Sequence, residues 1–153
     1  MSPRAIIETS VGMITAELYG DQVPGTVNNF VNLANSGFYK DMIFHRIIKG
    51  FVIQTGDPTG TGRGGSDQKV KLETRPELKH VEGALGMARG PDRDSASSQF
   101  YICDDAVPGL DGNYAVFGRV VEGMDVVHAI AAVPTGAGDR PVDPPKLLSV
   151  SIQ

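Results

Sequence analysis

The chain of 153 residues contains one cysteine, Cys103, and no tryptophan. A lone cysteine cannot close an internal disulfide, so the fold depends on its core, and a reducing compartment suits it. No apolar run approaches the ~20 residues that cross a bilayer. The opening "MSPRAIIETS" lacks the apolar segment of a secretory signal. Charge of one sign is not in large excess: 14 Lys and Arg stand against 18 Asp and Glu, a net charge of −4. That balance speaks against nucleic acid and anionic membranes as partners. His45, His80 and His128 are scattered, without Cys-x-x-Cys or His-x-x-x-His spacing, so no metal site is expected. No GK[ST] phosphate loop occurs, and no cofactor is called for. The expectation is a soluble, cytoplasmic, monomeric protein with one domain over residues 1–153, long enough to bury a sizeable core.

What is present is turn punctuation: 19 glycines and 10 prolines spread along the chain. "RAIIETSVGMITAELYG" reads as a hairpin of strands 4–9 and 13–18 around "SVG". In "VPGTVNNFVNLANSGFY" the period changes. Val27, Phe30, Val31 and Ala34 form a helical stripe, with Pro24 in the first turn and Gly37 at the C-terminal end. Further strands are predicted over 42–48, 52–55, 84–88, 99–103, 115–121 and 147–152. A second helix is predicted over 124–132, with Met124, Val127 and Ala131 on one face and His128 near its inner side. About eight short strands and two helices suggest a β-barrel or sandwich with helices over its open ends.

Several motifs have bland readings. "GTGRGG", Gly60–Gly65, satisfies G-x-G-x-x-G, but "SDQKVKLETRPE" after it carries no helical stripe, so it reads as a surface loop able to approach a peptide closely. "DRDS" and "CDD" read as solvated turns, with no EF-hand spacing. No G-x-S-x-G elbow marks a hydrolase. Cys103 reads as a small buried residue, and His45 as structural. "FHRIIKGFVIQTGD" is less easily dismissed. Alternation puts Phe44, Arg46 and Ile48 on one face of its first strand, so an arginine sits among apolar residues with no acid nearby in sequence. Val52 and Gln54 share a face after the Gly50 bend.

"FHRIIKGFVIQTGDPTGTGRGG", "MARGPDRDSASSQFYI" and "GLDGNYAVFGRVVEGMDVV", in this order and spacing, resemble the signature blocks of the cyclophilins, which are peptidyl-prolyl cis-trans isomerases. The resemblance covers nearly the whole chain and leans toward compact microbial members. It implies a mainly β fold, a closed eight-stranded antiparallel barrel with a helix over each end, and an active groove on the barrel's outer wall. Arg46 then matches the catalytic arginine. Phe51, Val52 (where methionine is usual), Tyr101 (where phenylalanine is usual) and Leu110 match the proline pocket. Gln54 matches the glutamine that contacts substrate backbone, Gln99 the one beside a second pocket, and Ala88 a groove wall. Arg89, Gly62 and Gly90 match groove positions. Gly109 stands where tryptophan is common and Tyr114 where histidine is, both at the pocket rim. The implied partners are proline-containing peptides and unfolded chains, with cyclosporin binding weakened by the missing tryptophan.

The residue types suit that chemistry. Rotation about X–Pro crosses a barrier of ~18–20 kcal/mol because amide resonance must be broken. No covalent bond changes, so neither nucleophile nor metal is needed. An apolar seat for the ring and a donor to the twisted imide suffice. Two other readings compete: a proline-peptide binding module without catalysis, and a small-molecule barrel, which would need a hollow interior.

Overall fold

The computed structural model describes residues 3–153. β1 (Arg4–Thr9) and β2 (Met13–Leu18) form the predicted hairpin. Its turn is tied by Thr9, whose hydroxyl donates to the Gly12 carbonyl at 2.6 Å. α1 (Pro24–Asn35) follows, with Val27, Phe30 and Ala34 buried as their spacing predicts. Then come β3 (Met42–Ile43), β4 (Arg46–Ile48), β5 (Val52–Thr55), β6 (Ala84–Met87), β7 (Phe100–Cys103), β8 (Val116–Glu122), α2 (Met124–Ala131) and β9 (Lys146–Ile152). α2 buries Val127, Ile130 and Ala131. His128 lies on its exposed side, not near its inner side as expected.

The strands form one antiparallel sheet in the order β3-β9-β1-β2-β8-β6-β7-β5-β4. The expected closed barrel of eight strands is therefore corrected to nine strands with two edges. Those edges, β3 and β4, are consecutive in the chain and separated only by Phe44 and His45. The circuit is completed by covalent backbone instead of a hydrogen-bonded ladder. The physical reason lies in the two linking residues. Phe44 carries the β3–β9 register one bond further, its N–H donating to the Pro145 carbonyl at 2.9 Å, and its ring is fully buried. His45 beside it is buried too, at 5 % exposure. Two adjacent buried residues break the alternation and reset it. Phe44 thus joins Ile47 in the core, while Arg46 faces outward, so the expectation that Phe44 and Arg46 share a face is also corrected.

Inside the curled sheet lies an aromatic core. Phe30 packs on Tyr39, Phe100 and Phe117 at centroid distances of 5.2, 5.2 and 5.0 Å. The Tyr39 hydroxyl donates to the Ser98 carbonyl at 2.7 Å, which satisfies a buried polar group. A second apolar cluster sits on the outer face. It comprises Val52, Ala84, Tyr101, Cys103 and Val116. Along β7, Phe100 and Ile102 point to the inner core while Tyr101 and Cys103 point to the outer cluster, the two-residue period of a strand covered on both faces.

Candidate active site

The site grows from cross-strand register. Arg46 on β4 faces Gln54 on β5, Gln54 faces Tyr101 on β7, and Tyr101 faces Gly86 on β6. Residues opposite one another project to the same side of a sheet, so one row carries a guanidinium, an amide, a phenol and a gap. The gap is needed: a Cβ at position 86 would collide with the Tyr101 ring. Tyr101 therefore lies flat against the sheet as a floor. Val52 continues that floor, and Phe51, Ala88, Leu110 and Tyr114 wall it. With Arg46, Gln54 and Arg89 these residues enclose an outward-opening cup of about 190 Å³.

The floor is anchored from behind. The Tyr101 hydroxyl lies 2.6 Å from His80 Nε2, and His80 Nδ1 lies 2.8 Å from Asp111 Oδ1. Burial holds the His80 pKa below its ordinary value, so the ring is neutral. Nδ1–H then donates to Asp111, and Nε2 accepts from Tyr101. Partial desolvation opposes ionisation of Asp111, but the backbone and ring N–H of His80 outweigh it and keep that pKa low. Asp111 adjoins Leu110 in the wall, so the network ties floor to wall. Cys103 lies fully buried beneath, where desolvation pushes its thiol up to about 12.

Polar groups connect the cup to its surroundings. Arg46 Nη1 donates to Gln54 Oε1 at 3.2 Å, and Gln54 Nε2 donates to Gln99 Oε1 at 2.9 Å. Gln99 Nε2 donates to the carbonyls of Gly62 at 3.0 Å and Gly64 at 2.8 Å. Among the described residues no arginine or lysine pairs with a carboxylate; the ion-pair contacts there involve His80 and His128. Arg46 thus keeps an uncompensated charge at the cup's rim, 6.0 Å from the centre of the Phe51 ring. Arg89 lies 4.5 Å over the Tyr114 ring, and its Nε and Nη2 donate to the Asn113 carbonyl at 3.2 and 2.8 Å. Gly62, Gly90 and Gln99 line an adjoining basin of about 500 Å³ that shares Gln54, Ala88 and Arg89 with the cup.

Of the residues that the resemblance matched to the groove, nine line the cup and Gly62, Gly90 and Gln99 line the basin beside it, whereas Gly109, expected at the rim, lines neither. Others went unnoticed. Asp57, only 1 % exposed, organises the "GTGRGG" loop. Its Oδ1 accepts from the Thr59 N–H and hydroxyl, and its Oδ2 from the N–H groups of Gly62 and Gly64. Burial alone would raise its pKa, but these donors prevail and bring it to about 2. Asp104 was expected in a solvated turn. It is buried instead, accepting from the Gly50 N–H and from His128 Nδ1, each at 2.7 Å. His80 and Gly86 carried no sequence signal, because their roles come from residues far along the chain.

The outer wall of the sheet thus carries an open apolar cup with a guanidinium at its rim. Residues 4–152 match the family model described as cyclophilin type peptidyl-prolyl cis-trans isomerase. The chain belongs to this family, and it is an isomerase of X–Pro peptide bonds. It is 45 % identical over 157 residues to the peptidyl-prolyl cis-trans isomerase-like 1 of Aspergillus fumigatus, covering 99 % of this chain and 96 % of that one. The crystal structure of a cyclophilin type isomerase from Cryptosporidium parvum superposes with a TM-score of 0.96 at 35 % identity, covering 100 % of this chain and 98 % of that chain. A crystal structure of that isomerase in the presence of the dipeptide Ala-Pro superposes with a TM-score of 0.94 at 36 % identity, covering 98 % of each chain.

Proposed function

We propose that Arg46 is the catalytic residue and that the proline ring sits on Tyr101 and Val52, between Phe51, Leu110, Tyr114 and Ala88. The observation that carries this is an arginine without a carboxylate partner at the rim of an apolar cup. In the planar imide the nitrogen lone pair is delocalised. In the twisted transition state it localises and accepts a hydrogen bond, so a cation beside the ring stabilises the twisted state more than the planar one. Bringing an exchange time of ~100 s to ~10 ms lowers the barrier by roughly 5.5 kcal/mol. One charged hydrogen bond supplies ~1.5–3 kcal/mol. The remainder comes from desolvation in the cup and from contacts of Gln54 and the Arg89 backbone that favour the twisted peptide.

On an Ala-Pro peptide, Arg46→Ala is expected to lose well over tenfold in kcat/KM, read by exchange NMR or a coupled assay, with an unchanged melting temperature. Equal rates would leave a proline-binding scaffold as the better reading. The protein acts as a cytoplasmic monomer that helps unfolded and flexible proline-containing chains to fold. Cyclosporin binds weakly: Gly109 leaves open space where a Cβ would meet nothing within 4 Å, and no tryptophan can fill it. Nanomolar inhibition by cyclosporin would show that part of the reading to be wrong.

A further inference from the structure

Past Arg46, on the side away from the Tyr101 floor, lies a separate cavity of about 310 Å³. It shares Arg46 and Gln54 with the cup, so the two recesses adjoin. Its other walls come from His45, from Thr61 and Gly62, and from the short 3-10 turn Ala137–Asp139 with Arg140 after it.

The formally charged side chains lining this cavity are both cationic, Arg46 and Arg140, and among the described residues neither pairs with a carboxylate. Arg140 is held in place by one donor, Nη1 to the Gly60 carbonyl at 2.6 Å, which leaves its other N–H groups available. Asp57 lies nearby and its negative charge is felt at His45, but its oxygens are held by Thr59, Gly62 and Gly64 and contact neither arginine. Asp139 precedes Arg140 in the chain and makes no ion pair with either arginine. His45, only 5 % exposed, stands in the cavity wall beside these two cations and carries no formal charge of its own, because burial lowers its pKa.

We propose that this cavity is a subsite for a carboxylate on the peptide stretch flanking the proline, with Arg140 as the specificity-determining residue. The acidic side chain lies between the two guanidinium groups. Arg140 is absent from the cup and takes no part in bond rotation. The subsite gives a generally acting isomerase a preference for acidic sequences around X–Pro, although the protein itself carries a net charge of −4.

The subsite assumes that the cup seats proline, so the test reads binding as well as turnover. Peptides with one Ala-Pro bond carry Glu, Gln or Lys at the second position after proline, or in a matched set before it. On at least one side the Glu peptide is expected to show a KM about threefold to tenfold below the Lys peptide, as for a charged contact at a partly exposed site. The Gln peptide falls between, and the ordering shrinks as salt rises. Arg140→Lys keeps the order, Arg140→Gln flattens it, and Arg140→Glu reverses it, each ratio being taken relative to the Gln peptide on the same variant so that a general loss from the broken Gly60 contact cancels. Equal KM for Glu and Lys peptides on both sides, or an order untouched by Arg140→Glu, overturns the subsite. If no peptide is turned over, the isomerase reading fails instead, and dissociation constants from NMR titration still give or deny the order.

Discussion

Gly86 is where a single hydrogen atom decides whether the cup exists. In Gly86→Ala the new methyl group meets the Tyr101 ring, which can escape only outward into the space for proline. The expected outcome is a rise in KM for Ala-Pro peptides, at least tenfold in kcat/KM, alongside a melting temperature lowered by only a few degrees. Unchanged kinetics would mean that the ring tilts without narrowing the cup. Asp57 makes a different kind of prediction. Its pKa in the fold is about 2, below the ordinary carboxylate value of 3.8, so its contribution to stability is present above the unfolded value and disappears as pH falls from about 4 through about 2. Thermal melts of wild type should therefore show a step across that window, and Asp57→Asn, already destabilised at neutral pH, should lack it. Neither residue was legible in advance. Gly86 reads as one of 19 glycines, and Asp57 as one acid before a glycine-rich loop. Arg46, by contrast, stood out because a guanidinium among β-branched residues needs a reason, and register then placed it beside Gln54 and Tyr101.

At the scale of single elements, α1 shows how a helix start can depend on a distant loop. Pro24 suits the first turn, but the N-cap residue Val23 offers no side-chain acceptor. Glu73 supplies one across 47 residues of sequence: its Oε1 accepts from the Thr26 N–H and hydroxyl, each at 2.6 Å, and its Oε2 from the Gly25 N–H at 3.3 Å. A carboxylate there also meets the positive end of the helix. Glu73→Gln should lose about 1 kcal/mol of stability in denaturant titration; no change would show that water caps the helix equally well. The helix itself was visible in the spacing of Val27, Phe30 and Ala34, because an apolar stripe is a local pattern. Its cap was invisible because the partner is not local. The same holds for 42–48. Propensity saw one strand, whereas packing both Phe44 and His45 inward made it two.

Across the whole molecule, the outer apolar cluster links stability to the site. Cys103 lies in that cluster under the cup, fully buried, with its thiol pushed up to about 12. A thiol reagent at neutral pH should leave the folded protein unmodified and label Cys103 only on global unfolding, at a rate that follows the unfolding equilibrium. Rapid labelling of the native state would mean that the sheet beneath the cup opens locally. Sequence by itself determined the first hairpin, both helices and most strands, because periodicity and turn residues are properties of short stretches, while the residues assigned to the cup came from the resemblance of three motif blocks to a known family. Tertiary structure decided the ninth strand, the anchoring of Tyr101 by His80 and Asp111, the Asp57-centred loop and the cavity between Arg46 and Arg140. Each of these depends on side chains that meet only once the sheet has curled, and contacts between distant residues leave no mark on local pattern.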